Sequence, residues 1–579
     1  MSATETKTIE GDLDPPVGNA TGFAKFFASD IVSGFLVFLI ALPLCLAIAL
    51  AYGYPPIAGI FTAVVGGILT TFISDSELTI KGPAAGLILI AVGCVRDFGG
   101  TGVYDVNNPI AVKAYRAALA VGVVAGVIQI LFGVFRVGVV GEYFPLTIVH
   151  GMLAAIGVII IAKQVPPTLG VDASGEPIPL LLGIPKVMAN YHAEIAIVGV
   201  TSLLIMFLWP LVTKQIKSLR AIPAALIVLV VAIPLGRVLD LSTVTTHKVK
   251  LEAHEEHAAA PHAEQAEQPE APPAAAAPEP NALIKVPPFG ETFSAITLPD
   301  FSALTMPKAW WWVAMFALIG TLESMLTAKA MDMIDPYQRK TNLDRDNLAV
   351  GIANTICAFI GAAPMISEIA RSKANVDNGA KTRFADMWHG VFLIACVALL
   401  PFVLVMIPKA ALSAMLIYTG VRLAHPHEFK HMWEVGPEQL FLFVATIIGV
   451  LATDLLIGIG IGILLKYMLE MRRGADFPTL FVPHVSQVDS ADGAVVLKAT
   501  DALTFSNWIS LKKRLDRLRQ ANNNVSVDLS ATKLVDHTVM SKLYEQKRFF
   551  GQQNLNFDWT GLDNHKAVSD HPQAARIRK

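Results

Sequence analysis

The chain has 579 residues, of which 54% are hydrophobic and 16% are charged, and its mean hydropathy is +0.54. A soluble protein usually carries about 25% charged residues, so a soluble globular fold is excluded for most of this chain. The formal net charge of −2 gives no reason to expect a nucleic-acid partner.

Most of the chain is predicted to cross a lipid bilayer. Residues 1–24 are polar and acidic without an apolar signal core, which predicts a cytoplasmic tail. About 20 apolar residues are needed for one crossing. By that measure full spans are predicted at residues 31–52, 57–73, 114–135, 143–162, 192–212, 222–238, 309–330, 343–360, 387–407, 410–421, 439–453 and 455–471.

Two further apolar segments are interrupted where they should be crossing the membrane. The first reads Lys81-Gly82-Pro83-Ala84-Ala85-Gly86, and the second reads Gly361-Ala362-Ala363-Pro364-Met365-Ile366-Ser367-Glu368, followed by Ile369, Ala370 and Arg371. They bring the prediction to about 14 transmembrane segments, seven on each side of a long polar insert.

A helix that starts inside the bilayer leaves backbone N–H groups unpaired, which is tolerable only where they face a cavity or a ligand. The positive end of the helix dipole favours an anion there. A matching pair of breaks in the two halves of a membrane protein points to a transporter's substrate site. The predicted anion-binding residues are Lys81, Ala84, Ala85, Gly86, Met365, Ile366, Ser367 and Arg371.

The two cations beside these breaks allow two interpretations. A charge at mid-membrane costs about 2.5–3.5 kcal/mol on insertion scales, so each should face a partner or water. Either Lys81 snorkels from a loop and Arg371 pairs with Glu368, or both cations add positive field beside the helix starts. Only the second interpretation makes them ligands of an anion.

Carboxylates inside the predicted spans are candidates for a coupling ion. Glu323 could load and release a proton, or bind Na⁺ together with the hydroxyl of Thr327 one turn on. The alternative is a salt bridge from Glu323 to Lys329 or Arg371. Glu368 would compete with an anion for the same N–H groups, so it is a protonation switch, a helix cap or the partner of Arg371.

The distribution of Lys and Arg predicts that both termini are cytoplasmic. Residues 241–307 then form an extracytoplasmic insert between a first transmembrane repeat at 25–240 and a second at 308–473. The part from 252 to 280 consists largely of Ala, Pro, Glu and His, a composition that cannot bury a core and predicts disorder.

The last segment, residues 474–579, has the character of a small α/β domain. Residues 493–500 and 525–529 alternate like strands, whereas 506–520 and 538–546 have helical amphipathic patterns. Strands that alternate with helices over about 100 residues predict a small cytoplasmic α/β domain.

At these motifs the chain resembles the sulfate-permease (SulP) anion-transporter family. The matching residues are Leu42-Pro43, Gly82-Pro83, Gly126-Val127-Ile128-Gln129-Ile130-Leu131-Phe132-Gly133, Glu323-Ser324, Arg371, Asn375 and Gly379-Ala380-Lys381-Thr382. The resemblance implies a mainly α-helical polytopic membrane protein built as a 7+7 inverted repeat with core and gate domains. It also implies an anion between the starts of the third and tenth helices, a coupling carboxylate on the eighth, and a homodimer with elevator-like motion.

The C-terminal segment is similar to a STAS domain, which implies a cytoplasmic protein partner as one of its functions. The motif Asp528-Leu529-Ser530 followed by Leu534-Val535-Asp536 carries this similarity. His537 stands where related bacterial signalling domains place a phosphorylated serine.

The predicted function is secondary active transport of a small oxyanion, bicarbonate or sulfate, across the cell inner membrane. Pro43-Leu44 is closer to the Pro-Met of cyanobacterial bicarbonate transporters than to the Pro-Gln of sulfate-type members, whereas Lys81 favours a divalent ion. The coupling ion is H⁺ or Na⁺, and no other cofactor, metal or enzymatic activity is expected. A dicarboxylate transporter, an uncoupled anion channel, a nucleobase permease and a membrane-anchored STAS signalling protein remain as alternatives.

Overall fold

The structure is a computed structural model of the chain. It describes residues 15–138, 144–173, 175–219, 222–248, 282–285, 295–337, 339–453, 455–489, 495–551 and 553–579. Most of the predicted N-terminal tail (1–14) and most of the predicted insert (249–281 and 286–294) lie outside the described residues.

The first half of the chain is mostly helical. Its helices are α1 (Ala20–Tyr52), α2 (Pro56–Ile73), α3 (Ile88–Asp97), α4 (Pro109–Val134), α5 (Leu146–Thr168), α6 (Pro177–Leu182), α7 (Ile184–Ala189), α8 (Ala193–Gln215) and α9 (Ala224–Val238). Short strands β1 (Lys81–Pro83), β2 (Val171–Asp172) and β3 (His247–Lys248) interrupt them, and a 3-10 turn, Ala85–Leu87, leads from β1 into α3.

The second half repeats this pattern before it changes into an α/β unit. Its first elements are α10 (Pro307–Ile334), α11 (Leu343–Phe359), β4 (Met365–Ser367), α12 (Ile369–Asp377), α13 (Phe384–Leu399), α14 (Pro401–Leu404), α15 (Lys409–Leu423), α16 (Pro426–Val435), α17 (Pro437–Ala452) and α18 (Leu455–Arg472). The remainder comprises α19 (Phe477–Phe481), β5 (His484–Asp489), β6 (Val495–Leu503), α20 (Trp508–Gln520), β7 (Val525–Val535), α21 (His537–Gly551), β8 (Phe557–Thr560), β9 (His565–Ala567) and β10 (Arg576–Arg578).

Six helices in the described part of the chain are long and apolar enough to span a membrane, namely α1, α2, α4, α5, α8 and α10. Three shorter helices, α9, α13 and α17, are also apolar. Every predicted span overlaps at least one helix, and each broken segment consists of a short strand followed by a helix. The order of these elements confirms the predicted mainly helical polytopic fold.

The structure differs from the sequence-based spans at three places. Helix α1 begins at Ala20, well before the predicted start at residue 31, because the Asn19 side chain accepts a hydrogen bond from Gly22 N and caps the helix there. The single span predicted at 387–407 is wrong: it is two helices, α13 and α14, that divide at Pro401, which lacks an N–H group. The amphipathic helix α16 was not predicted.

The two halves repeat the same order of elements. In each half two helices are followed by a short strand, a short helix and a further helix, which are α1–α4 in the first half and α10–α13 in the second. The two strands, β1 and β4, pair antiparallel with Gly82 opposite Ile366. Three further helices complete each half, α5, α8 and α9 in the first and α15, α17 and α18 in the second.

The helices form two bundles. Helices α1–α4 pack with α10–α13, and we call this group the core bundle. Helices α5, α8, α9, α15, α17 and α18 pack with one another, and we call this group the gate bundle. The two groups meet mainly where α1 contacts α9 and α15.

Small residues allow the closest helix contacts in the core bundle. A Cβ at Gly126 would lie 2.7 Å from Thr355 N, and one at Gly133 would lie 2.8 Å from Leu348 Cα. Helix α4 can therefore approach the backbone of α11 only because both positions are glycine. This contact explains the two glycines of the Gly126–Gly133 motif.

The last hundred residues form a six-stranded sheet covered by helices. The strand order is β5-β6-β7-β10-β9, with β8 also paired to β7. Strands β6, β7 and β8 are parallel, and α20 and α21 connect them. Trp508, Leu511, Leu543 and Phe550 of these helices are fully buried against the strands. The structure therefore confirms the predicted α/β fold of this segment.

This α/β unit docks on the end of the helical part. Lys466 Nζ of α18 lies 3.2 Å from Glu470 Oε1 and 3.4 Å from Asp536 Oδ2, and all three side chains are buried. Ser569 Oγ donates hydrogen bonds to the carbonyls of Glu434 and Val435 at the end of α16. A buried charge cluster and polar contacts to α16 thus join the two parts.

The α/β unit is predicted to lose stability in acid through His537. The Nδ1 of this buried ring donates to Gln573 O at 2.8 Å, and burial lowers the pKa of His537 from 6.5 to about 4. Because the folded pKa is depressed, stability is full above pH 6.5 and falls progressively as the pH drops toward 4. Hydrogen exchange of β7 and α21 in the intact protein, corrected for intrinsic pH effects, measures this loss. His537→Asn should flatten the pH dependence, and an equally steep profile in that variant would contradict the assignment.

Candidate functional site

Two short strands cross at the middle of the core bundle, and a helix starts after each of them. Strand β1 (Lys81–Pro83) pairs with β4 (Met365–Ser367). Because of this pairing, neither apolar segment forms one continuous helix. Tyr52 fixes the end of β1, since its hydroxyl donates to Ala84 O at 2.5 Å and lies 3.2 Å from Ala84 N.

Side chains from α10, α11 and α4 fix β4. Asn354 accepts from Met365 N at 2.8 Å and donates to Met365 O at 3.0 Å and to Gln129 Oε1 at 2.8 Å. Ser324 Oγ accepts from Ser367 N at 3.1 Å. The N–H groups of Met365 and Ser367 are therefore already paired, so the prediction that they are open to an anion is wrong.

The open amide groups belong to the first residues of the two helices. In the part of the chain that the structure describes, the N–H groups of Ala85, Gly86, Ile369 and Ala370 have no hydrogen-bond acceptor. The first turn of any helix leaves such donors unpaired. Two sets of N–H dipoles thus converge near the crossing strands, as predicted, but the second set lies beyond Ser367.

Glu323 lies against the first of these helix starts. A Cβ at Gly86 would be 2.0 Å from Glu323 Oε1, so the carboxylate occupies the space that a side chain at position 86 would need. Only 5% of Glu323 is exposed, and its Oε1 has no hydrogen-bond partner among the described residues. In the described part of the chain, the ion pair of Arg371 is with Glu368 and not with Glu323, so the alternative of a Glu323–Arg371 salt bridge is not present. An unpaired buried carboxylate is strongly disfavoured unless it binds a proton or a cation.

Glu368 lies at the second helix start. Its Oε2 accepts from Arg371 N at 3.4 Å, which makes Glu368 the N-cap of α12. The same oxygen lies 3.8 Å from Arg371 Nε. Of the interpretations left open by the sequence, the cap and the contact with Arg371 are both present.

The side chains of Lys81 and Arg371 are held by partners inside the core bundle. Lys81 Nζ pairs with Asp346 Oδ1 at 2.9 Å and donates to Thr79 Oγ1 at 2.5 Å. Arg371 is fully buried, and its Nη2 donates to Pro83 O of β1 at 2.8 Å. The structure therefore does not bring either cation to the surface where the open amide groups lie.

A cavity of about 410 Å³ opens between the core bundle and the gate bundle. Its core wall contains Ala85, Gly86, Ile366, Ile369 and Ala370, together with the side chains of Glu323, Thr327 and Glu368. Ala84, Met365, Ser367, Lys81 and Arg371 do not line it. All four open amide groups and both carboxylates thus belong to residues of one wall.

The gate wall contributes residues that the sequence analysis missed. Tyr418, Thr419 and Arg422 of α15 line the cavity beside apolar residues of α5, α8 and α9. Their spacing places them on one face of α15. The only available signal was an arginine near the end of a short apolar helix, which is equally typical of a membrane anchor.

The sequence itself matches a known family over most of its length. The sequence model of the Sulfate permease family matches residues 27–446, which include both crossing strands and the cavity. The chain belongs to the sulfate permease family. The predicted resemblance is thereby confirmed, and as a family member the chain is a multi-pass membrane transporter of anions and not an enzyme.

Individual relatives are distant but cover most of the chain. The chain is 25% identical over 453 residues to "Putative sulfate transporter YvdB" of Bacillus subtilis (strain 168), covering 77% of this chain and 74% of that protein. It is 21% identical over 461 residues to the bicarbonate transporter BicA of Picosynechococcus sp., covering 79% and 73%.

Solved structures show the same fold. SLC26A9 aligns with a TM-score of 0.64 at 13% identity, over 93% of this chain and 85% of that chain. The transmembrane domain of a cyanobacterial BicA aligns with a TM-score of 0.57 at 19% identity, over 75% of this chain and 97% of that chain. The arrangement of helices in this chain is therefore the one found in these two structures.

The Lys81–Asp346 pair is predicted to stabilise the fold. Lys81→Met leaves the buried Asp346 without its cation and should destabilise the protein by about 3–5 kcal/mol. Thermal unfolding in detergent measures this loss. The double variant Lys81→Met with Asp346→Asn should recover part of it, while Lys430→Met on exposed α16 should change little. A double variant no more stable than Lys81→Met would contradict the pairing.

Gly86→Ala tests the contact between Glu323 and the first helix start. The added Cβ would overlap the Glu323 carboxylate, so the side chain or the helix start must move, and anion uptake should fall about tenfold or more. Gly460→Ala is the matched control, since a Cβ there meets nothing within 4 Å. Equal uptake by the two variants would remove this contact from the site.

Proposed function

We propose that this protein is a secondary active transporter of a small oxyanion, bicarbonate or sulfate, with H⁺ or Na⁺ as the coupling ion. One observation carries the proposal. Four amide N–H groups at two helix starts have no acceptor among the described residues, and they lie on the same cavity wall as Glu323, whose buried Oε1 also has no hydrogen-bond partner there.

The amide groups supply the anion site in this proposal. Ala85 and Gly86 donate from one side of the crossing strands and Ile369 and Ala370 from the other. Oxyanions suit such donors because each oxygen accepts hydrogen bonds, and the helix dipoles add favourable field. Arg371 contributes its charge from behind the strands without direct contact.

Glu323 couples the anion to a cation. It lies against Gly86, so an anion bound there would face a negative carboxylate unless Glu323 carries H⁺ or shares Na⁺ with Thr327. Occupation of the two sites is therefore mutually favourable in electrostatic terms. Glu368, at the second helix start, imposes the same condition and belongs to the coupling group.

The distribution of these groups favours an elevator movement. Every open amide and both carboxylates belong to the core bundle, whereas the gate bundle supplies apolar residues and α15. A rigid displacement of the core bundle along the gate bundle would carry the whole site, with its ions, from one side of the membrane to the other.

We also assign the remaining predicted features to this function. Residues 474–579 are a cytoplasmic STAS domain, and the two termini are on the cytoplasmic side of the inner membrane. The transporter acts as a homodimer, and the STAS domain is the surface for a cytoplasmic protein partner. The six-stranded sheet and the Asp528–Asp536 motif on β7 and its end support the STAS assignment.

Flux into proteoliposomes tests the transport function. Purified protein should accumulate labelled bicarbonate or sulfate uphill only when a pH or Na⁺ gradient is imposed. Glu323→Gln should abolish uphill accumulation and retain exchange, because it removes the titratable group and keeps the shape. Glu434→Gln, on the surface of α16, is the matched control and should transport normally.

The same assay separates the alternatives. Currents that reverse at the passive anion potential would identify a channel, and uptake of fumarate or uracil alone would identify a dicarboxylate transporter or a nucleobase permease. A chain truncated after Arg473 should keep residual flux. Uphill uptake by Glu323→Gln equal to that of the parent protein would exclude Glu323 as the coupling residue.

A further inference from the structure

The cavity contains one cationic side chain in the described part of the chain, and it comes from the gate wall. Lys81 and Arg371, two cations of the core bundle near the site, do not line the cavity: Lys81 pairs with Asp346, and Arg371 is buried behind the contact of its Nε with Glu368 and donates to Pro83 O. Arg422 lines it, and its side chain is exposed. In the described residues no carboxylate lies within ion-pair distance of Arg422.

The position of Arg422 is fixed by close packing of its helix. A Cβ at Gly420 would lie 2.7 Å from Gly157 O, and one at Gly157 would lie 2.5 Å from Gly420 O. Helices α15 and α5 therefore touch through their backbones two residues before Arg422. Tyr418, one turn earlier on the same face, packs edge-on against Phe207 of α8 with ring centroids 5.2 Å apart. This rigid wall holds Arg422 at the cavity.

The cavity needs a positive group at this wall. Its other charged lining residues are Glu323 and Glu368, so an anion approaching the open amides meets repulsion. A cation exposed along the approach raises the local anion concentration, and the effect weakens as salt screens it. An arginine near the end of α15 also matches the helix dipole, which is the structural role that a test must separate from attraction of the anion.

We propose that Arg422 is the residue that attracts the anion into the cavity and sets its apparent affinity from one side of the membrane. The inference rests on the proposed transport function. Arg422 belongs to the gate bundle, whereas the amides and carboxylates belong to the core bundle. Its attraction therefore acts only while the core site is open to this cavity, and it does not act on the opposite face.

Sided transport assays with Arg422→Gln test the inference. Uptake of labelled bicarbonate and sulfate is measured in right-side-out and inside-out membrane vesicles. In one orientation KM should rise about fivefold at an ionic strength of about 10 mM, and the rise should shrink at about 150 mM, where the Debye length has fallen from about 30 Å to about 8 Å. KM in the other orientation, and the dependence on the H⁺ or Na⁺ gradient, should stay unchanged.

Two further variants keep the result decisive. Arg422→Lys retains the charge and should restore KM to within about twofold of the parent protein, which a purely geometric role of the guanidinium would not do. Lys430→Gln removes an exposed cation of α16 outside the cavity and should leave KM unaltered. Thermal unfolding in detergent verifies that each variant is folded.

The outcomes separate this inference from the transport function. If the parent protein moves neither anion, the proposed function fails. If it transports and Arg422→Gln has an unchanged KM in both orientations, or one raised equally in both and insensitive to salt, the role of Arg422 is overturned. If Arg422→Gln does not fold, Arg422→Lys decides the matter. A KM of Arg422→Lys raised about fivefold overturns the proposal, because the positive charge is still present, and a KM within about twofold of the parent protein supports it.

Discussion

The antiparallel pairing of β1 with β4 is the contact on which the rest of the site depends. Three residues from each half of the chain pair at the centre of the core bundle, so neither segment can continue as one helix through the membrane. Some of the backbone N–H groups that would otherwise be unpaired inside the membrane are paired between the strands. Others stay open at the helix starts that follow. The positions at which the two strands end therefore determine which amide N–H groups are open to the cavity.

The buried charges of the core bundle maintain this crossing. Lys81 pairs with Asp346, which also accepts from Ser74, and Arg371 donates to the carbonyl of Pro83. Lys81 is itself a residue of β1, and Arg371 binds the carbonyl of another residue of β1. Removal of either cation leaves buried polar groups unpaired. Neither cation lines the cavity, whose charged lining residues are Glu323, Glu368 and Arg422 of the opposite wall.

Most of the fold could be predicted from the sequence. Long apolar stretches predicted the helices, and breaks at Pro83 and Pro364 predicted two discontinuous segments, because a bilayer imposes strong rules on length and backbone pairing. The α/β segment followed from its alternating patterns. Errors occurred at Asn19 and Pro401, where a cap or a missing N–H group moved a helix boundary by several residues.

The sequence by itself determined which residues could form an anion site and a coupling site, since charges and helix breaks inside apolar segments are rare and carry a large desolvation cost. Only the tertiary structure decided which of them face the cavity. Lys81 forms an ion pair with Asp346, which lies 265 residues away along the chain. Arg422 lies at the cavity because Gly157 allows α5 and α15 to be in contact. Side-chain direction depends on such long-range partners, and local patterns do not encode them.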